Sequence, residues 1–125
     1  MNKKYTPNPV IYATWYGTLR EIAIKHGYEA CIHGSLLNDM DIVLVPWEQQ
    51  VSDPVVMLLQ MKEVTGAQLI YFHPVKVDND LGYLPVVYPG TLDIPKHPTP
   101  HNRESWVLQI NDTMYIDIAI TPAVL

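Results

Sequence analysis

Apolar residues recur at helical spacing over residues 8–27. Ile11, Trp15, Leu19 and Ile22 lie four, four and three apart and share one face. Asn8 is a good N-cap, and Pro9 suits the first helical position, where no N–H is needed. Lys25 and His26 complement the negative end of the dipole, and Gly27 stops the helix. The period then changes to two. Tyr28, Ala30 and Ile32 alternate with Glu29, Cys31 and His33, which predicts a half-buried strand broken by Gly34 and Ser35. Met40 to Val45 is an aliphatic run closed by Pro46 and predicts a central strand. Ser52, Asp53 and Pro54 open a second helix, with Val55, Leu58 and Leu59 turned inward and Gly66 at its end. Gln68 to Phe72 predicts a third strand.

The composition then changes. Six of the eleven prolines fall between Pro74 and Pro100, and proline denies ladder hydrogen bonds. Residues 74–102 therefore read as a long excursion over the surface, with one edge strand near Leu84 to Tyr88. Ser105 to Ile110 and Met114 to Ile120 close the chain as a hairpin around Asn111–Asp112. No repeat and no linker divides the sequence. The expected architecture is one α/β (α+β) domain over residues 1–125: a small mixed sheet with two main helices on one face.

Composition narrows the function classes. With 48% hydrophobic residues, a chain of 125 residues can bury a core without staples. The single cysteine, Cys31, excludes a disulfide framework and fits a reducing compartment; its place beside Ile32 predicts a buried, inert thiol. No apolar run approaches the ~20 residues that span a bilayer. Met1 to Pro9 lacks the apolar middle of a signal peptide. A cytoplasmic protein is expected, without membrane contact. Eight Lys plus Arg against thirteen Asp plus Glu gives a net charge of −5, which argues against a broad face for duplex DNA.

Most of the acids read as solvated surface: Glu21, Glu29, Glu48, Glu63, Asp93 and Glu104. Three do not. Asp39 and Asp41 are two apart at the start of the most apolar strand, so they share a face. Asp117 interrupts Tyr115-Ile116-Asp117-Ile118-Ala119-Ile120, which would otherwise be core. An Asp-x-Asp pair alone is usually just a strand's solvent face, and a lone acid such as Asp117 often protects an edge strand. The preceding Gly34-Ser35 alters the balance, because a strand ending in Gly-Ser lets backbone approach a phosphate closely. Two carboxylates on one strand and a third on a neighbour can hold one or two divalent cations for phosphoryl transfer.

These residues carry a resemblance. His33-Gly34-Ser35, then Asp39-Met40-Asp41-Ile42-Val43, then Asp117 on a later strand resembles the nucleotidyltransferase superfamily, the polymerase-beta-like fold. More narrowly, Lys25-His26-Gly27-Tyr28, Val45-Pro46-Trp47 and Pro100-His101-Asn102-Arg103 with Trp106, Tyr115 and Pro122 are similar to small uncharacterised proteins of tailed phages and prophages. The resemblance covers about residues 25–47 and 100–122 and leaves the proline-rich middle aside. It implies a minimal nucleotidyltransferase moving NMP from an NTP to a hydroxyl acceptor, an RNA end or a protein side chain. Asp39, Asp41 and Asp117 would then be catalytic and hold two Mg²⁺ (or Mn²⁺) ions, while Gly34 and Ser35 grip phosphate. A phage-encoded protein would work in the host cytoplasm. Only Leu36 to Asn38 separate Gly-Ser from the first Asp, where active members usually have a longer segment with a helical turn. Fewer phosphate-gripping N–H groups keep a second possibility open: an inactive protein of the same fold that binds a nucleotide or a host protein.

Other candidates carry less. Arg103 could take a phosphate bidentately, or be a solvated loop residue like His97 and His101, which lack a second ligand pair for zinc. Asp78-Asn79-Asp80-Leu81-Gly82 echoes a calcium loop, but Pro89 stands where its glutamate would be. Trp15, Trp47 and Trp106 read as core or core-edge, with Trp47 also able to line a base pocket.

Overall fold

The computed structural model describes residues 9–34, 39–48, 53–78, 80–88 and 104–122. Along them run α1 (Pro9–Lys25), β1 (Tyr28–His33), β2 (Met40–Pro46), α2 (Pro54–Thr65), β3 (Gln68–Val77), β4 (Asp80–Val87), β5 (Glu104–Gln109) and β6 (Tyr115–Ile120). The strands form one mixed sheet in the order β1-β2-β6-β5-β3-β4. Only β2 and β6 run parallel; every other neighbouring pair is antiparallel. The mixed sheet with two helices is the α/β architecture expected from the sequence.

Helix α1 turns inward most of the face its aliphatic spacing suggests, but not Ile11. Tyr12, Leu19 and Ala23 are fully buried, Trp15 and Ile22 pack beside them, and Ile11 is 42% exposed. One residue is ~100° around a helix, so Tyr12 and Ala23 lie to one side of the stripe Trp15, Leu19 and Ile22 and widen it, while Ile11 falls at its outer edge. The Tyr12 hydroxyl is what makes this burial workable, through a hydrogen bond with the backbone of Tyr115 at the start of β6. Helix α2 starts as expected: the Asp53 carboxylate accepts a hydrogen bond from the Val55 N–H at 3.0 Å, and Pro54 fills the first turn. Gly66 ends it in the left-handed region at φ 68°. Met57, Leu58 and Met61 face the core, whereas Leu59 is 39% exposed. Asn8 and Ser52 lie outside the described residues.

Residues 74–87, expected to belong to a surface excursion, are instead mostly strand. β3 continues through Pro74 to Val77 and pairs with β4 in a long hairpin, from Ile70↔Val87 to Val77↔Asp80. Pro74 fits because β5 pairs with β3 only as far as Tyr71↔Trp106, and Pro85 fits because β4 is an edge strand. Asp78, at φ 49°, forms the turn, which makes the calcium-loop echo a hairpin connection. Residues 89–103, including His97 and His101, lie outside the described residues.

The core sits between the helices and one face of the sheet, where Ala30, Ile42, Leu44, Leu69, Trp106 and Ile118 join the buried helix residues in one cluster. Of the tryptophans, Trp106 is buried and Trp15 is partly buried, but Trp47 is 57% exposed and does not belong to the core. Cys31 is also exposed: it pairs with Val43 and shares its strand face with His33, the partner of Asp41, on the side of the sheet away from the core; the expected buried thiol is not found. Among the described residues no helix is long and apolar enough to cross a membrane.

Candidate functional site

Alternation along the strands decides what the second face of the sheet carries. With Ile42, Trp106 and Ile118 turned to the core, their neighbours Asp41, Ser105 and Asp117 emerge on the side away from the helices. Register then aligns them into rows. His33 pairs with Asp41 across β1 and β2, and Asp41 pairs with Asp117 across the parallel β2 and β6. Asp39, two residues before Asp41, completes the group. Carboxylate oxygens of Asp39, Asp41 and Asp117 all lie within 4.8 Å of one another, and each residue is half-buried. The structure thus brings together all three acids singled out from the sequence.

Crowding has an electrostatic consequence. Burial, then hydrogen bonds with Asp39 and Asp41, then their negative charge push the Asp117 carboxyl up to about 7. Burial also raises Asp41, partly offset by a hydrogen bond from Asp117. Without a counter-ion the trio holds a proton that three separate aspartates would release. A divalent cation can take that proton's place. The donor set consists of hard carboxylate oxygens, the ligand type that suits Mg²⁺ or Mn²⁺.

Gly34 adjoins the cluster at φ +93°, and a Cβ there would meet Asp41 Oδ2 at 3.2 Å. Glycine is thus required twice, for the left-handed backbone and for the close approach to a carboxylate. Gly34→Ala is expected to cost ~1–2 kcal/mol of stability through its backbone alone and to weaken Mn²⁺ binding by displacing Asp41. Calorimetric Mn²⁺ titration checks this, and an unchanged affinity would remove Gly34 from the site. Ser35 and Arg103, the other expected phosphate ligands, lie outside the described residues.

A cavity of about 340 Å³ opens beside the acids, with His33, Asp41 and Asp117 at one end and Val43, Ala119, Ser105 and Phe72 at the other. No lysine or arginine among the described residues lines it.

Sequence reasoning missed two perturbed groups, Tyr115 beside the cluster and Glu104 on the opposite, helix-facing side of the sheet. Tyr115 is raised by burial and then by the charge of all three aspartates, so its ring stands in their field; its two-residue offset from Asp117 was the available signal. Glu104, expected to be solvated, is half-buried and pushed up to about 6, first by burial and then by Asp53. Its strand-start position gave no warning, because the neighbouring charge comes from the cap of α2.

A scan against protein-family models, a search of curated proteins and a search of solved structures each found no match.

Proposed function

We propose that the protein is a metal-dependent nucleotidyltransferase that moves NMP from an NTP to a hydroxyl on an RNA end or a protein side chain. The observation that carries this is the trio itself: Asp39, Asp41 and Asp117 converge within 4.8 Å on an open sheet face, Asp41 and Asp117 in direct register on parallel strands. The acceptor hydroxyl passes its proton to a carboxylate of the trio as its oxygen bonds to the α-phosphorus, the α–β anhydride bond breaks, and pyrophosphate leaves. Two Mg²⁺ ions, or Mn²⁺, bound by the three aspartates would supply the charge that attacking and leaving oxygens require. Gly34, by lacking a side chain, leaves Asp41 free to turn toward them. A cytoplasmic setting, the host's for a phage-encoded protein, accords with the lone cysteine.

The short Leu36 to Asn38 segment between Gly34-Ser35 and Asp39, which offers fewer phosphate-gripping N–H groups, favours a second function, nucleotide or host-protein binding without turnover. The two differ in one assay. Purified protein is incubated with labelled NTPs, Mg²⁺, RNA and protein acceptors. Label transfer that disappears in Asp41→Ala supports the transferase; no transfer, or transfer that survives Asp41→Ala, rules it out. Mg²⁺-independent nucleotide binding retained in Asp39→Asn would then support the binding protein.

A further inference from the structure

The cavity has two chemically different ends, and the sheet register explains why. One row across the open face runs His33, Asp41, Asp117. The next row, two residues along each strand, runs Val43, Ala119, Ser105, with Val43 paired to Ala119 and Ala119 to Ser105. One residue past the Tyr71–Trp106 pair, Phe72 closes this row and lines the cavity with the other three.

Short side chains at Ala119 and Ser105 leave a hollow between Val43 and Phe72. Strands are ~4.8 Å apart and next-but-one residues ~6.5–7 Å apart, so the hollow is a flat slot about two strand spacings wide, one row away from the acids. Its walls are apolar and uncharged. Ser105 offers a hydroxyl that makes no hydrogen bond within the described protein. The whole cavity, about 340 Å³, lies at the small end of the roughly 300–1,000 Å³ range of small-ligand sites.

We infer that this slot holds the planar heteroaromatic base of a nucleotide whose phosphates reach back to the cations on Asp39, Asp41 and Asp117. The inference rests on the metal–phosphate function proposed above. A flat ring matches a slot of this width, and Phe72 contributes an aromatic side chain to its lining. The ribose spans the step between the two rows. Ser105 Oγ supplies a hydrogen bond to the base edge or the sugar.

The test compares probes with and without a base. The four ribonucleoside triphosphates and inorganic tripolyphosphate are titrated calorimetrically into the full chain in Mg²⁺. Stacking contributes ~1–3 kcal/mol per base, or ~5–150-fold in affinity, so at least one nucleotide is expected to bind about tenfold tighter than tripolyphosphate. Ala119→Leu, which fills the slot, and Phe72→Leu, which keeps bulk but removes the ring, should each bring that ratio close to one. In amide NMR spectra the nucleotide, and not tripolyphosphate, should shift Phe72, Ser105 and Ala119, a readout that needs no variant to fold. Equal binding of tripolyphosphate and every nucleotide, or a ratio that survives both substitutions, overturns the base slot and leaves the metal–phosphate site standing. Loss of Mg²⁺-dependent tripolyphosphate binding overturns that site instead, and the slot with it.

Discussion

Raising the pH of the metal-free protein from 5 to 8 is expected to lower its stability by ~1–2 kcal/mol, and saturating Mg²⁺ or Mn²⁺ to reverse the trend. Asp117 titrates near 7 in the folded chain against 3.8 for an ordinary aspartate. The folded state therefore binds the proton more tightly than the unfolded state. Its contribution is complete below pH ~4 and is lost as pH rises through 7. Asp41 is raised by burial and acts with the same sign. The expected size follows from ~1.4 kcal/mol per pH unit, reduced because the group is only half-buried and screened by solvent. Glu104, raised to about 6, adds a second loss of the same sign. The two are separable: a cation on the aspartates removes their component and leaves that of Glu104, while Glu104→Gln does the converse. Thermal melts across this pH range, with and without metal, provide the measurement. A metal-free protein whose stability climbs steadily from pH 5 to 8 would contradict the crowding of the trio. Binding at about 100 times the dissociation constant would add ~2.7 kcal/mol, enough to outweigh the charge repulsion.

The site was legible from the sequence because its signals are local. Asp39 and Asp41 share a face by strand alternation, Gly34 marks the break before them, and Asp117 stands out as a charge in an aliphatic strand. Bringing Asp117 beside Asp41 required the parallel β2–β6 pairing. No local pattern encodes that neighbour, although a third carboxylate on another strand hinted at it. The errors were equally physical. Ile11 and Leu59 looked like core because they are aliphatic, but orientation was decided by Tyr12 and by Met57 with Met61. Methionine and tyrosine are less emphatic markers of burial, yet they pack deeply where a helix meets a sheet. Pro74 and Pro85 suggested a loop and proved compatible with strands, because each avoids pairing on one side. Whether a proline breaks a strand depends on which flank is free, and topology rather than sequence sets the flank. Cys31 follows the same rule: strand alternation leaves open which face meets the helices, and pairing with Val43 puts it on the other one.

Asp117→Asn should change stability and function in opposite directions. At pH 8 the metal-free variant is expected to be ~1–2 kcal/mol more stable than wild type, because an amide of the same shape removes one of three crowded charges. Its NH₂ can also donate to the Asp39 and Asp41 carboxylates, replacing the proton that wild-type Asp117 must otherwise hold. The gain shrinks toward zero at pH 4–5, where wild-type Asp117 is already neutral. Metal should then no longer stabilise the variant appreciably, and the proposed nucleotidyl transfer should fall by at least ~10³-fold, since a lost metal-ion contact removes several kcal/mol of charge stabilisation. A residue that served only the fold would behave otherwise. Replacing it would lower stability at every pH and leave metal response untouched. Opposed signs are the mark of a group held in an unfavourable place for its chemistry, in keeping with the cost in stability that active sites commonly carry. Melting curves at pH 5 and 8, Mn²⁺ titration and the label-transfer assay, run on this one variant, decide it. A variant that is less stable than wild type at pH 8 yet binds Mn²⁺ normally would show Asp117 to be structural. A cluster that costs stability when empty and regains it with a cation is what three aspartates on one open sheet face should produce.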